Sequence, residues 1–413
     1  MNPAPPQRTP SSGFTLVEML VSVAVLVLIM TFIAQMMNSA TISTTLSGRH
    51  VDTDSEARLV FDRMQSDFSR MSHRTDVDFV FAKQPDYLNL NTSGNTGSAS
   101  GTDAEMFFYS EAPAYPASTS GTDPSSVALI GYTINTTGSS YIPAYSLQRL
   151  SKGLTLNSQI SQTSGTPDTE TASMLFLTST GLGGLPLAAT GLLNSEPGVI
   201  GVYPDTPADN TDYDLLSPEV LRMDFTFQVK DLTNPSAPSA AYSNFPCAFY
   251  KKGATNTRTI NSGPPSQSPT NGSSHPVVGD RWYDTSTNRC YICTTLLSNG
   301  PNQFLPVWEP NGMADVNAIV VTIAILDQRS RRVLPDDTVL SALAGSFLAP
   351  TEGALNPIYS GGSASGPPQL TADLWQTELS DMLLAAQDNS SSKVPVSVLG
   401  QVRIYQRFFY LNN

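Results

Sequence analysis

Apolar positions follow three successive patterns along this chain. The first is unbroken: from Phe14 to Met37, FTLVEMLVSVAVLVLIMTFIAQMM, the only charged residue is Glu18. As a helix this run reaches about 36 Å, against a hydrocarbon core of about 30 Å. It predicts one membrane span over 14–37. The second pattern is helical. Ala57, Phe61, Met64, Phe68 and Met71 recur at alternating spacings of four and three, which lays one apolar stripe along an amphipathic continuation of the helix over 38–74. Arg58 with Asp62 and Asp67 with Arg70 are spaced as ion pairs on a solvated face, and Gly48 predicts a kink or a short melt.

From about Thr75 the period shortens to that of strands. Val77 to Phe81, Tyr87 to Leu90, Met106 to Tyr109, Val127 to Ile134, Tyr145 to Leu150 and Met174 to Leu177 read as strands of an antiparallel meander, with loops over Asn91 to Thr102 and Ala117 to Ser126. Met223, Phe225, Phe227 and Val229 alternate with Asp224, Thr226 and Gln228, so one face of that strand is expected to be wet. Asp231 to Gly312 reads as an inserted decoration, in which Gly279 to Thr294 (GDRWYDTSTNRCYICT) has the form strand, turn, strand. Ala318 to Leu326 is a β-branched central strand, Asp327 to Ser330 its exit turn, Ala372 to Ala386 a helix, and Val396 to Leu411 a closing strand. The fold class is therefore α+β: a long N-terminal helix packed on a β-rich antiparallel head, 75–230 and 313–413, with 231–312 inserted.

Composition narrows the function classes. Of 413 residues only 14% are charged, against a usual share of about 25%, and 31 prolines and 28 glycines suit a loop-rich head. A net charge of −13 without a Lys/Arg cluster argues against nucleic acid as a partner. Arg8 is the only basic residue ahead of the span, which places the N-terminus on the cytoplasmic side and exports the head. Cys247, Cys290 and Cys293 then lie where a disulfide forms, Cys247 with Cys290 or Cys293.

The junction Gly13-Phe14 followed by T-L-V-E resembles the prepilin-type signal of type IV pilins and of the pseudopilins of type II secretion systems. That resemblance implies cleavage by prepilin peptidase between Gly13 and Phe14, loss of a leader over 1–13, methylation at Phe14, and a pilin-like head. It also implies an assembly role for Glu18 toward neighbouring pilin-like or pseudopilin subunits in the inner membrane, the head becoming periplasmic or extracellular. A long helix with a large head looks like the larger minor subunits, of the J-type pseudopilin or PilW-like kind. The low-charge head and its closing VSVLGQVRIYQRFF look like prepilin-like cassette proteins of Verrucomicrobia. The expected role is a structural subunit, with a singly anchored surface binding protein or adhesin as the alternative.

Residues with catalytic potential do not form a set. His50, His73 and His275 stand far apart, no nucleophile elbow or phosphate loop is present, and Cys290-Tyr-Ile-Cys293 lacks the second ligand pair that zinc requires. No enzyme and no resident cofactor is expected. Asp205, Asp209, Asp212 and Asp214 supply hard oxygen ligands of the type calcium takes, yet their spacing matches no defined loop, and a solvated acidic loop is the expectation. Trp282, Tyr283 and Trp308 read as a miniature core for the hairpin, with ligand stacking as the alternative reading.

Overall fold

A computed structural model describes residues 15–73, 79–82, 104–111, 127–136, 143–153, 213–230, 241–248, 258–261, 265, 276–284, 289–298, 304–334, 336–355, 368–388 and 394–411. The leader with Gly13 and Phe14, the two strands expected at Tyr87 to Leu90 and Met174 to Leu177, and Asp205, Asp209 and Asp212 lie outside them. The chain divides into two units, 1–55 and 56–413. Helix α1 (Leu16–Phe68) begins in the first and ends in the second. It runs through Gly48 without the expected break. Nothing stands within 4 Å of where a Cβ would sit at that glycine, so the residue costs helix propensity, about 1 kcal/mol relative to alanine, without ending the helix.

In the second unit the last three turns of α1 are core. Ala57, Phe61, Met64, Phe68 and, just beyond, Met71 are all buried, together with Val60. They pack among the side chains of two antiparallel sheets. The first sheet is a meander of β1 (Phe79–Ala82), β2 (Glu105–Ser110), β3 (Ala128–Asn135), β4 (Ser146–Gly153) and β5 (Tyr213–Ser217), each strand pairing with the next. The second joins β6 (Val220–Val229) and β7 (Ala241–Ser243) to β12 (Val316–Ile325) and β13 (Arg403–Tyr410) in the order β13-β12-β6-β7. Phe68 bridges the two. Its ring lies 5.1 Å from Phe108 of β2 and 5.1 Å from Phe409 of β13, with Tyr132 of β3 at 6.0 Å. From β1, Phe81 meets Phe227 of β6 edge-on at 4.9 Å.

A close approach inside the meander depends on one residue. At Gly131 of β3 a Cβ would fall 2.3 Å from the Phe107 ring carbon opposite it, so the ring lies on the glycine and any larger residue displaces it.

Between β7 and β12 a third sheet forms from β8 (Arg258–Asn261), β9 (Arg281–Asp284), β10 (Arg289–Ser298) and β11 (Phe304–Pro310), in the order β11-β10-β9-β8. β8 and β9 run parallel. The expected hairpin is present as β9 and β10. The expected boundary at Asp231 needs correction, because β7 falls inside 231–312 and yet pairs with β6 of the second sheet. The third sheet is held to the rest by the Cys247–Cys290 disulfide, which spans 43 residues of sequence with 5.9 Å between Cα atoms. Closing a loop of that length constrains the unfolded chain by about 4 kcal/mol.

Helices α2 (Gln328–Arg331), α3 (Asp337–Ser346), α4 (Glu352–Leu355), α5 (Thr371–Asp388) and α6 (Val396–Leu399) complete the described elements. Asp327 caps α2 by accepting from Ser330 N at 2.7 Å, and Asp336 caps α3 by accepting from Thr338 N and Val339 N at 3.0 and 3.1 Å. The expected exit turn at Asp327 to Ser330 is thus a helical turn, and Val396 to Leu399 is helix where a strand was expected.

The wet face expected on β6 is also overturned. Asp224 and Thr226 are buried, because Thr371, at the start of α5, covers them. Its hydroxyl donates to Asp224 Oδ2 at 2.8 Å and lies 3.1 Å from Thr226 Oγ1. The polar positions alternate correctly and are satisfied by a helix in place of water.

Since Phe68 touches both sheets, Phe68→Ala should lower head stability by about 3–5 kcal/mol. Urea unfolding of the detergent-solubilised chain measures this, and a loss under 1 kcal/mol would contradict the bridging role.

Candidate functional site

The first turn of α1 carries a reciprocal cap. Thr15 precedes the helix and Glu18 sits three residues on, the spacing of a capping box. Glu18 Oε2 accepts from Thr15 N at 2.9 Å and from Thr15 Oγ1 at 3.0 Å, while Glu18 N donates back to Thr15 Oγ1 at 3.3 Å. Both side-chain contacts fall on one carboxylate oxygen. Among the described residues Oε1 accepts no hydrogen bond, so the carboxylate is half-satisfied by its own chain.

Beyond this turn apolar side chains face every side of the helix, with Ser22, Thr31 and Gln35 as its polar residues up to Met37. Leu16, Val17, Leu20, Val23, Leu26, Ile29, Phe32 and Ile33 are all about half or more exposed, and an 18-residue window reaches a mean hydropathy of 2.7 with none of it buried. The few hydroxyls do not alter that surface. Ser22 Oγ donates to Glu18 O at 2.7 Å, Thr31 Oγ1 to Leu28 O at 2.8 Å and Thr41 Oγ1 to Met37 O at 2.8 Å. Each returns its proton to the helix backbone, as a hydroxyl without water must. Glu18 is the one charged group in the run.

Residues 8–34 match the family described as the Prokaryotic N-terminal methylation motif. This N-terminus is a prepilin-like signal. The match covers Gly13, Phe14 and Glu18 together with most of the apolar run, and it supports a type IV pilin-like or pseudopilin-like protein, membrane-anchored through a single span. Comparison with curated proteins and with solved structures finds no match.

Among the described residues the other sequence candidates form no common site. Asp214 lies on β5, exposed, beside Arg149 in the β4–β5 register. Among the described residues no three His, Cys, Asp or Glu side chains are placed to hold a metal. Cys247 pairs with Cys290, and Cys293 is a buried free thiol. Trp282 and Tyr283 are buried. Trp282 stacks on Tyr291 at 4.8 Å and meets Trp308 at 5.8 Å, while Tyr283 packs on Phe245 beside the disulfide.

Two buried ion pairs carry no signal in the sequence. Asp67, expected on a solvated face with Arg70, is buried instead. Arg149 of β4 grips it with two hydrogen bonds, Nε to Oδ2 at 2.7 Å and Nη2 to Oδ1 at 2.9 Å, and the Tyr132 hydroxyl donates to Oδ2. Its neighbour Asp62 turns to Arg407 of β13 at 2.8 Å. A cleft of about 820 Å³ opens beside this cluster, lined by Leu59, Asp62, Arg63 and Ser66 of α1 and by Arg149, Asp214, Leu215 and Leu216. The second pair is Arg281 with Asp315, at 2.6 and 3.0 Å; Asn311 Nδ2 also donates to Asp315, at 2.7 Å.

Burial, reinforced by the Asp67 charge, holds the Tyr132 phenol well above its ordinary value. Burial opposes the charge on Arg149, but the bonds to Asp67 outweigh it and raise that group as well. The consequence for stability has a definite sign. Above pH 10, the ordinary value for the phenol, the unfolded chain releases the Tyr132 proton while the folded chain keeps it. The contribution is complete below pH 10 and is lost as pH rises through the raised value. Tyr132→Phe should therefore cost about 1.5–3 kcal/mol at pH 8, as loss of a hydrogen bond to a charged group. Its stability should fall less steeply than the wild type's above pH 10. Parallel slopes in urea unfolding across that range would contradict the assignment.

Proposed function

We propose that the chain is a minor pilin-like or pseudopilin-like structural subunit of a type IV pilus or a type II secretion pseudopilus. Prepilin peptidase cuts after Gly13, and the protein assembles through α1 with other pilin-like subunits. The observation that carries this reading is the match of residues 8–34 to the N-terminal methylation motif, with Glu18 as the one charged group one turn into an exposed apolar helix. Cleavage at Gly13 would free the α-amine of Phe14, four residues ahead of Glu18 in sequence. A carboxylate at mid-bilayer costs roughly 2.5–3.5 kcal/mol on insertion scales, and the helix N-terminus lowers that cost here. The residual demand is met when a cationic amine of a neighbouring subunit reaches Glu18.

Orientation follows from Arg8, with the leader cytoplasmic and the head exported. The disulfide between Cys247 and Cys290 agrees with a head in an oxidising compartment. No cofactor enters this role, which is mechanical.

Two variants of Glu18 separate the possible roles. Glu18→Gln keeps a capping side chain and removes the charge; Glu18→Val removes both. Both should insert and be cleaved, with Phe14 as first residue by mass analysis of membrane fractions, and both should be lost from crosslinked complexes with neighbouring subunits. Recovery of Glu18→Gln at the wild-type level would reduce Glu18 to a helix cap. Equal recovery of Glu18→Val would remove the assembly role altogether and leave a plain anchor, whose insertion that change improves by up to about 2–3 kcal/mol.

A further inference from the structure

Among the described residues the third sheet has only a small core of its own. Its separate core consists of Phe245, Cys247, Tyr283 and Cys290, with Ile260 partly buried against them, and its ring contacts are Phe245 on Tyr283 at 4.7 Å and, on the other side of the strands, Trp282 on Tyr291 at 4.8 Å and on Trp308 at 5.8 Å. β8 is at most half-buried along its length and pairs with β9 over four residues in the parallel sense, the weaker of the two pairings. By contrast, β6 and β12 are buried from end to end apart from Gln228 and Asn317. Segments with few buried apolar contacts open at lower free energy than the global transition.

Within this weak element the disulfide is central. It ties the residues just after β7 to the second residue of β10, so it closes the β7–β8–β9 excursion. Three residues along the same strand stands Cys293, wholly buried opposite Trp308. The chain wraps it closely, for Cys293 N donates to Asp280 O at 2.9 Å and Gly279 N to Cys293 O at 2.8 Å. Burial, with Asp280 nearby, also pushes its thiol up and away from the reactive thiolate.

We propose that the Cys247–Cys290 disulfide is a redox latch: oxidised, it keeps the third sheet closed over Cys293, and reduced, it lets that sheet open while the core around α1 stays folded. The chemistry is thiol–disulfide exchange with a dithiol reductant. One thiolate of the reductant attacks either sulfur of the bridge and expels the other cysteine as a thiolate. The second thiol of the reductant then resolves the mixed disulfide. The S–S bond between Cys247 and Cys290 is replaced by two S–H bonds, two electrons and two protons pass to the protein, and the dithiol leaves as a disulfide. Cys293 takes no part in the exchange and reports on it. The Arg281–Asp315 pair is the competing restraint, since it survives reduction and fastens β9 next to the start of β12.

The test uses the full chain in detergent micelles at neutral pH, alkylated with iodoacetamide before and after dithiothreitol, with each cysteine peptide quantified by mass. Without reductant Cys293 should remain unlabelled. After reduction it should label at least tenfold faster, together with Cys247 and Cys290, while amide exchange rises in β9 and β10 and stays unchanged in β6 and β12. The double variant Cys247→Ser, Cys290→Ser should show the same open pattern without reductant, and it decides the matter if the bridge resists dithiothreitol. Protection of Cys293 in the reduced chain or in that variant would overturn the latch and assign the closure to Arg281 and Asp315. Exchange rising in β6 and β12 together with β9 would overturn it as well, because the bridge would then support the whole head.

Discussion

Closure of the head depends on Phe68. The residue ends α1, and its ring touches β2, β3 and β13 at once, so the helix that begins in an apolar run ends as the common wall of two sheets. Contacts of this kind are long in sequence: Phe409 lies at the other end of the chain, and Asp62 and Arg407, which pair above it, are 345 residues apart. The two sheets therefore become mutually dependent only after β13 has been added to β12. Loss of the last strand would expose Ile319, Val321 and Ile323 of β12 along with the α1 face.

Buried charge fixes how these layers meet. Asp67 accepts from Arg149 in a two-point grip and from Tyr132, which ties the end of α1 to β3 and β4. Asp315 does the same between the third sheet and β12, accepting from Arg281, Asn311 and the backbone of Ala248. Such a pair adds little to stability compared with a well-packed apolar contact, yet removing one partner strands the other at a cost of about 3–5 kcal/mol. Apolar surfaces slide past one another at small cost, and a guanidinium seated on a carboxylate does not.

How much of this was legible in the sequence depends on the range of the interaction that decides each element. The helix stripe of Ala57, Phe61, Met64 and Phe68 and the strands β2, β3, β6 and β12 follow from local periodicity, and they stand where that periodicity places them. Asp67 departs from its expected place because the spacing to Arg70 is local, whereas the partner that prevails, Arg149, comes from 82 residues away. Asp224 and Thr226 alternate as surface residues do, and only the arrival of Thr371 makes them interior. Helix α3 carries a local signal in the sequence, with Asp336 as cap and Val339, Leu340, Leu343 and Ala344 as one buried face. In the site, Gly13, Phe14 and Glu18 were legible because the motif is contiguous; the Thr15 cap was equally contiguous and is a T-x-x-E box that patterning alone could have found.

One helix meets two different surroundings, with apolar side chains exposed on every side of its first half and a folded core against one face of its last turns. Spin labels placed singly along α1 in reconstituted bilayers, read for accessibility to oxygen and to a water-soluble nickel chelate, test this directly. Positions 19–37 should be open to oxygen and closed to the chelate at every residue, with no period. Exposed positions of the last turns, such as Arg58, Leu59 and Asp62, should be open to the chelate, and the neighbouring Val60 and Met64 closed to both. Chelate accessibility recurring every three to four residues within 19–37 would show one face of that run in water and would contradict the membrane span on which the assembly reading rests.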